Sequence, residues 1–140
     1  MKNIITPLIY NQTEYHDYGV CTKSGNILSR KYKDWRTLKW KTSGGSKYPQ
    51  VILSLGDKTK TISVHIAVHE TLNPKFPRPP GVSVKDWQRT PKSMKRASRS
   101  LYEVNHKDHN TYNFKPNNLE WTTHQQNMQR YQEFRIKAQA

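Results

Sequence analysis

Apolar and polar residues alternate over short stretches in the first half of the chain, and turn-forming residues separate these stretches. Residues 18–29 predict two strands around a Ser-Gly-Asn turn, because these turn residues accept positive φ. Residues 48–55 and 60–66 predict a second hairpin with a Gly-Asp-Lys turn and β-branched strands. Within 64–72 the apolar positions change to a spacing of four, which predicts a helix that ends at Asn-Pro. The pattern indicates a small antiparallel β lobe with one short helix.

A proline-rich segment interrupts this pattern near the middle of the chain. Residues 74–81 hold four of the eight prolines and cannot continue a helix or a central strand. Residues 85–100 are strongly basic, and we expect them to form a connector with weak structure of its own. We therefore divide the chain into an N-terminal lobe at 1–73, a connector at 74–100 and a C-terminal unit at 101–140.

The last forty residues predict a strand, a loop, a second strand and a helix. The strands are expected at 102–104 and 119–122, with a polar loop at 105–118 between them. A Thr-x-x-Gln capping box at 123–126 marks the start of the helix, because the Thr hydroxyl and the Gln amide satisfy its first free N–H groups. The helix is expected to continue to near Ile136.

The composition places the chain at the edge of disorder. There are 24 Lys and Arg against 10 Asp and Glu, a formal charge of +14, while Ile, Leu, Val and Phe make up less than a fifth of the residues. Four Trp, eight Tyr and three Phe favour a folded protein with a thin core. The charge favours a polyanionic partner, so RNA-binding proteins, DNA-binding modules and nucleases all remain open.

Other features of the sequence exclude several classes of protein. The single cysteine, Cys21, excludes an internal disulfide framework and a zinc site with several thiolates. No apolar run approaches the roughly 20 residues that a membrane span needs. The first fifteen residues, with one Lys and a short apolar stretch broken by proline, make a poor signal peptide. We expect a cytoplasmic protein that does not bind membranes.

Asparagine and histidine are concentrated in the polar loop and at the start of the last helix. Asn105 and His106 end a strand and would face Asn127 in the first helical turn, which would place an imidazole and two oxygen ligands around one point. Oxygen ligands suit a hard cation such as Mg²⁺, and a neutral imidazole suits proton abstraction from water. The alternative is an Asn-rich Ω-loop whose side chains only cap turns, with His106 on the surface. The spacing alone leaves both interpretations open.

This region resembles the HNH homing endonuclease motif of phage and intron-encoded enzymes. The motif runs N-H-x-D-G-x-x-x-N-x-x-P-x-N-L-x-W-x-T-x-x-x-N. A weaker resemblance, to the small DNA-binding modules fused in front of such nucleases, includes 18–29, 48–53 and Val64-His65, and the likeness as a whole covers about 17–137. Nine positions match the HNH motif: His106, Asp108, Asn113, Pro116, Asn118, Leu119, Trp121, Thr123 and Asn127.

The resemblance implies an α+β fold in which a ββα-metal nuclease unit (HNH, or His-Me finger) follows a small antiparallel β-sheet lobe with a short helix. It implies that His106 is the general base, that Asn105 and Asn127 hold one divalent cation, and that Asn118 orients His106. The implied cation is Mg²⁺, with Mn²⁺ as an alternative. The implied reaction is hydrolysis of phosphodiester bonds in double-stranded DNA, by nicking or by cutting both strands, which leaves 5′-phosphate and 3′-hydroxyl ends. The first lobe would bind DNA.

Two positions depart from the family pattern. Many relatives carry Asp or His where this chain has Asn105, so we expect weaker metal binding, or a metal shell that the substrate phosphate completes. His109 replaces the usual glycine of the loop. If that position needs positive φ, the histidine is strained; the alternative is a second imidazole near the phosphate.

The remaining histidines carry weaker signals. His65 and His69 have a metal-ligand spacing on a helical stretch, but no Cys or carboxylate cluster completes a site. We therefore expect His65 to form a hydrogen bond within the sheet lobe. His124 lies three residues before Asn127 and would face solvent or contact a phosphate. Trp121 is expected in the core.

Basic residues flank the proline-rich segment on both sides, and the resemblance makes them candidate phosphate contacts. A DNA-binding protein with weak or no cleavage is the alternative to a nuclease, and a basic RNA-binding protein is the third hypothesis. We expect a monomer or a weak dimer, encoded by a phage or mobile element and acting in a bacterial cell. The candidate DNA-binding residues are Arg30, Lys31, Lys33, Arg36, Lys39, Lys41, Lys85, Arg89, Lys92, Lys95, Arg96 and Arg99.

Overall fold

A computed structural model describes residues 4–139 of the chain and shows a mixed α+β architecture, as expected from the sequence. Antiparallel strands form one four-stranded sheet and two separate hairpins, and four helices lie among them. The strands are β1 Ile5–Tyr10, β2 Thr13–Cys21, β3 Ile27–Ser29, β4 Arg36–Thr37, β5 Gln50–Leu55, β6 Lys58–Ser63, β7 Tyr102–His106 and β8 Leu119–Thr123. The helices are α1 Val64–Leu72, α2 Val84–Arg89, α3 Lys92–Ala97 and α4 His124–Gln139.

The first sheet is a meander in the order β1-β2-β3-β4. The predicted turn between β2 and β3 is confirmed, and Gly25 takes a φ of +77° there. The sequence analysis did not predict β1, which is an edge strand that contains Pro7 and changes register at that residue. Proline is tolerated on an edge strand because its missing N–H faces away from the neighbouring strand. Residues 1–3 lie outside the described residues.

The second hairpin, β5 and β6, and the helix that follows it agree with the prediction. Helix α1 is the central element of the fold, because it packs against β1 and β2 on one side and against the β7–β8 hairpin on another. Its Val64, Ala67 and Val68 are buried in the core, together with side chains such as Leu8 and Leu53 from the strands. One short helix thus connects the first sheet to the C-terminal hairpin.

The expectation of weak structure over 85–100 is wrong. This segment forms α2 and α3, and a 3-10 turn at Ser98–Leu101 leads directly into β7. The side chain of Ser83 caps α2 by accepting a hydrogen bond from the backbone N–H of Asp86 at 3.1 Å. Lysine and arginine are good helix formers, so a charged segment with a capping residue can form short helices without burying much apolar surface.

The C-terminal strand–loop–strand–helix pattern is confirmed. Strands β7 and β8 pair antiparallel, and α4 packs against both of them. The capping box is present, since Gln126 N–H donates to Thr123 Oγ1 and Thr123 N–H donates to Gln126 Oε1, each at 3.2 Å. Helix α4 continues through Ile136, where the sequence analysis ended it, to Gln139.

A buried ion pair joins the parts of the fold that precede and follow the proline-rich segment. Both carboxylate oxygens of Glu70 accept hydrogen bonds from the β1–β2 turn, from the backbone N–H groups of Asn11 and Gln12 at 2.7 Å. The Arg99 guanidinium donates to the same two oxygens at 3.2 and 3.4 Å. The neighbouring Thr71 hydroxyl also bonds to the backbone of Ile9. Glu70 therefore connects α1, the first hairpin and the segment that leads into β7.

The β1–β2 turn depends on this carboxylate. Asn11 and Gln12 take φ values of +50° and +65°, the left-handed conformation of a two-residue hairpin turn, in which glycine is usual at the second position. Glutamine is disfavoured in that conformation, and the hydrogen bond from its N–H to Glu70 offsets part of the cost.

We predict that Glu70→Gln lowers the free energy of unfolding by about 3 kcal/mol, because Arg99 keeps a charge that is then almost buried without a partner. Urea unfolding followed by circular dichroism measures the change. Glu14→Gln is the matched control, since Glu14 is exposed and contacts only the exposed His16 at 3.9 Å. Equal stability of the two variants would contradict the role given to Glu70.

Candidate active site

Asn118 holds the polar loop on the β7–β8 hairpin. Its side-chain amide donates to Asp108 Oδ1 at 2.9 Å and to the Asn113 carbonyl at 2.8 Å, and its Oδ1 accepts the Asp108 N–H at 3.2 Å. Asp108 in turn accepts hydrogen bonds from the Asn113 side chain and from the Asn110 N–H. These bonds, led by the one from Asn113, lower the pKa of the Asp108 carboxyl. The loop is a closed hydrogen-bonded unit that begins immediately after His106.

The first sheet also contacts this loop. A Cβ at Gly25, in the β2–β3 turn, would clash with the backbone carbonyl of Phe114, so the turn and the loop are in close contact. On another side the Thr111 hydroxyl donates to the Lys47 carbonyl at 2.6 Å. The position of the loop is therefore determined by residues more than sixty positions away in the chain as well as by its own hydrogen bonds.

His109, the departure from the family pattern, does occupy a left-handed position. Its φ is +60°, and its ring stacks on Phe134 of α4 at a centroid distance of 4.2 Å. A residue without glycine's freedom is strained there, and the stacking contact offsets part of that strain. The side chain also lines the cavity described below.

Asn105 and His106 point to opposite faces of β7, as consecutive strand residues must. Asn105 faces α4, whereas His106 is buried, 4% exposed, beside Tyr48 and His65 on the face that packs against α1. The structure therefore does not place the imidazole and both Asn side chains around one point, which corrects that expectation. Asn105 and His106 have in common only their position at the end of β7.

The two candidate metal ligands lie on the α4 face, each bonded to a carboxylate. Asn105 donates through its amide nitrogen to Glu120 at 3.0 Å, and Asn127 donates to Glu103 at 2.8 Å. Glu103 and Asn105 are two residues apart on β7 and so share this face. Since each amide nitrogen is used by a carboxylate, each side-chain carbonyl oxygen is left as a free acceptor.

A cavity of about 270 Å³ lies between the hairpin and α4. Asn105 and Glu120 line it from the hairpin and Arg130 from α4, where Arg130 forms an ion pair with Glu120. Exposed Lys107 adds a positive charge at its edge. Near this face, His124 Nδ1 lies 2.6 Å from Glu103 Oε1, so the His124 side chain pairs with a carboxylate while it remains 74% exposed to solvent.

The donor set of this face fits a hard divalent cation. Among residues 4–139, no group of three or more His, Cys, Asp or Glu side chains is arranged as a metal site. The α4 face instead offers two amide oxygens, from Asn105 and Asn127, beside the carboxylates of Glu103 and Glu120. Oxygen donors of this kind are what Mg²⁺ and Mn²⁺ prefer. Glu103 and Glu120 bring carboxylate charge to this face, and Arg130 pairs with Glu120.

His65 is the residue that the sequence analysis misplaced. It was expected to hydrogen-bond within the sheet lobe, but its ring lies 4.8 Å from the His106 ring and 4.9 Å from that of Tyr48, measured between centroids. Its Nδ1 atom is buried and has no hydrogen-bond partner. Burial and the nearby His106 lower the pKa of His65 to about 3. No local sequence signal identifies this neighbour, because the contact forms only when α1 packs on β7.

The candidate DNA-binding residues are exposed with two exceptions. Arg99 has a 13% exposed side chain and is committed to Glu70, so its assignment as a phosphate contact is corrected. Lys95 is half-buried with its ammonium group over the Trp87 ring. In the segment that precedes the second hairpin, Arg30 lies over the exposed Trp35 ring at 5.2 Å.

Trp121 is half-buried and packs against the core, as expected. Within the described residues, no helix is both long and apolar enough to cross a membrane.

The hairpin whose first strand ends in Asn-His and the helix α4 that packs on it and carries Asn127 form a ββα unit, similar to the one expected from the resemblance to HNH nucleases. Residues 64–129 match the family model described as HNH endonuclease. The matched segment includes α1, which lies in the predicted first lobe, and the division of the chain into three parts stays a prediction.

Among solved structures, the chain is similar to the HNH homing endonuclease I-HmuI, with 26% sequence identity and a TM-score of 0.55. The similarity covers 87% of this chain and 57% of that chain, so this chain spans little more than half the length of the relative. No curated protein matches the chain. The expected resemblance and α+β fold class are confirmed: the protein is similar to HNH homing endonucleases.

A second buried histidine on α1 makes the stability of the protein depend on pH. Burial and the Lys107 charge lower the pKa of His69 to about 4, while the unfolded value is about 6.5. Between pH 4 and pH 6.5 the unfolded chain binds a proton at His69 that the folded chain does not bind. The free energy of unfolding therefore decreases as the pH falls from 6.5 towards 4.

We predict that lowering the pH from 7.5 to 5 reduces the free energy of unfolding less in His69→Phe than in the wild type. The two reductions should differ by up to about 2 kcal/mol. The phenyl ring keeps the edge contact with Trp121, which His69 makes at 5.0 Å. Urea unfolding at the two pH values measures the difference, with His16→Phe as the control because His16 is exposed. An identical loss in wild type and His69→Phe would show that His69 does not carry this dependence.

Proposed function

We propose that the protein is a DNA endonuclease that hydrolyses phosphodiester bonds with one divalent cation, in the manner of a homing endonuclease. The observation that carries the proposal is the pair of carbonyl oxygens, from Asn105 and Asn127, that two carboxylates orient on the α4 face of the hairpin, whose first strand ends at His106 on the opposite face. The match of 64–129 to the HNH endonuclease family supports it. A charge of +14 and the exposed basic residues of the predicted DNA-binding set support DNA as the partner.

The scissile phosphate would lie at the end of β7, where the two faces of the hairpin meet. His106 would take a proton from the attacking water on one side, and Asn105 and Asn127 would hold the cation on the other. A Mg²⁺ or Mn²⁺ ion held by these two residues would supply positive charge to stabilise the leaving 3′ oxygen. Lys107, exposed beside Asn105, would bind a phosphate oxygen.

The protonation state of His106 suits a general base. Burial lowers the pKa of its imidazole, and Lys47 lowers it further, while Asp108 opposes them. The ring is therefore neutral at pH 7 and able to accept a proton. The Nε2 atom of His106 is buried and has no hydrogen-bond partner. We therefore assign the other ring nitrogen, Nδ1, to the attacking water.

A DNA-binding protein without efficient cleavage is the second candidate, and two observations favour it. Asn105 carries no charge, and its amide is held by Glu120. His106 is only 4% exposed, so a water molecule and a phosphate must reach the ring at the strand end.

We predict that the wild type relaxes supercoiled plasmid DNA with Mg²⁺ or Mn²⁺ and that His106→Ala slows relaxation at least about 100-fold, the usual effect of losing a general base. His16→Ala is the matched control and should cleave as the wild type does, because His16 is exposed and far along the chain from the hairpin. A wild type that shifts a DNA fragment in a gel but relaxes no plasmid with either cation would favour the second candidate. Better competition by RNA than by duplex DNA at equal salt would count against both.

We further predict that Asn127→Ala abolishes cleavage with little loss of DNA affinity, because many exposed Lys and Arg contribute to affinity. Plasmid relaxation and a gel-shift titration at one salt concentration measure the two effects. Asn117→Ala, at an exposed loop position, is the control. An affinity loss as large as the loss of rate would contradict metal binding by Asn127.

A further inference from the structure

Two buried ring nitrogens lack hydrogen-bond partners, and they belong to neighbouring rings. His65 Nδ1 and His106 Nε2 are the buried side-chain nitrogen or oxygen atoms without a partner in the described part of the chain. Their rings lie 4.8 Å apart between centroids with 35° between the planes. An unpaired buried polar group costs about 1–3 kcal/mol, and here two such costs fall at one place.

The two atoms can satisfy each other because one neutral imidazole donates and the other accepts. Two imidazoles joined by an N–H···N hydrogen bond of ordinary length have centroids about 5 Å apart, so the separation of 4.8 Å between these rings is compatible with such a bond. Tyr48 covers both rings, at 4.9 Å from His65 and 6.0 Å from His106, which limits how far the rings can turn and excludes bulk water.

We propose that His65 is a positioning residue for the proposed reaction: its Nδ1 accepts a hydrogen bond from His106 Nε2–H. The bond fixes His106 in the tautomer whose Nδ1 carries the lone pair, with the ring held towards the end of β7. The opposite direction, with His65 as donor, would place the proton on His106 Nδ1 and remove the base from the water. The assignment of a role to this pair rests on the proposed function, whereas the pairing itself does not.

The surroundings of the pair favour two neutral rings. Burial lowers the pKa of both imidazoles, and the adjacent His106 at His65 and the Lys47 ammonium group at His106 lower it further. Asp108 acts in the opposite direction on His106, but its carboxylate is already occupied by Asn110, Asn113 and Asn118. A single proton between His65 Nδ1 and His106 Nε2 then gives both buried nitrogens a hydrogen-bond partner.

The pairing is tested by nitrogen-15 NMR of histidine side chains in the metal-free protein, which distinguishes the Nε2–H from the Nδ1–H tautomer without any cleavage assay. We expect His106 to be the Nε2–H tautomer, with a side-chain proton that exchanges slowly with water. His65→Phe keeps a ring against Tyr48 but has no acceptor, so the His106 proton should exchange at least about 10-fold faster. His65→Asn restores an acceptor at the position of Nδ1 and should restore slow exchange.

The same variants test the role of the pair in cleavage. His65→Phe should lower kcat about 10- to 100-fold with little change in KM, a typical effect of removing a partner that orients a catalytic group, and His65→Asn should recover most of the loss. His69→Phe and His69→Asn are matched controls, because His69 lies on the same helix, is equally buried and faces Trp121 rather than His106. Circular dichroism shows whether each variant is folded, and His65→Asn provides the test if His65→Phe does not fold.

Three results would overturn the inference. One is an Nδ1–H tautomer of His106 in the wild type, and another is a His106 signal that His65→Phe leaves unchanged. The third is a folded His65→Phe that cleaves at the wild-type rate while His106→Ala does not cleave. If His106→Ala cleaves normally, the proposed function fails, whereas the NMR result on the pairing stands separately.

Discussion

The fold depends on a single buried carboxylate. Glu70 binds the backbone of a turn in the first sheet and a guanidinium from the segment that leads into β7, so this one side chain contacts both halves of the chain. A thin core of small aliphatic residues provides little cohesion, and a fully satisfied ion pair at its edge specifies how the halves fit together. Arg99 therefore serves the structure, although its neighbours along the chain are exposed and available to a polyanion.

The β7–β8 hairpin lies between two helices and presents different chemistry to each of them. Towards α4 it presents oxygen donors and carboxylates, and towards α1 it presents His106, which packs against other rings. Because adjacent residues of a strand point to opposite faces, the consecutive residues Asn105 and His106 bring the proposed metal ligand and the proposed base to a common edge rather than into a common pocket. The edge is the place where a long, narrow substrate such as a DNA strand can contact both.

The local elements could be predicted from the sequence, whereas the contacts between them could not. The stripe of Val64, Val68 and Leu72 predicted α1 correctly, and Thr123 with Gln126 predicted the start of α4, because both signals lie within a few residues. Strand β1 was missed, since Pro7 concealed it, and the helices within 85–100 were missed because charge was taken as a sign of weak structure. The roles of Glu70, Arg99 and His65 depend on contacts between groups that are 29 to 59 positions apart in the sequence.

The close contact at Gly25 links the first sheet to the polar loop that follows His106. Because there is no room for a methyl group between the β2–β3 turn and the Phe114 carbonyl, a displacement of that turn towards the loop would also move the loop that carries Asp108 and Asn118. Binding of a ligand to the outer surface of the first sheet would then also affect the position of the loop at the end of β7. Ligand binding and the geometry of the candidate site would be linked through this one steric contact, and a larger side chain at position 25 would disrupt that link.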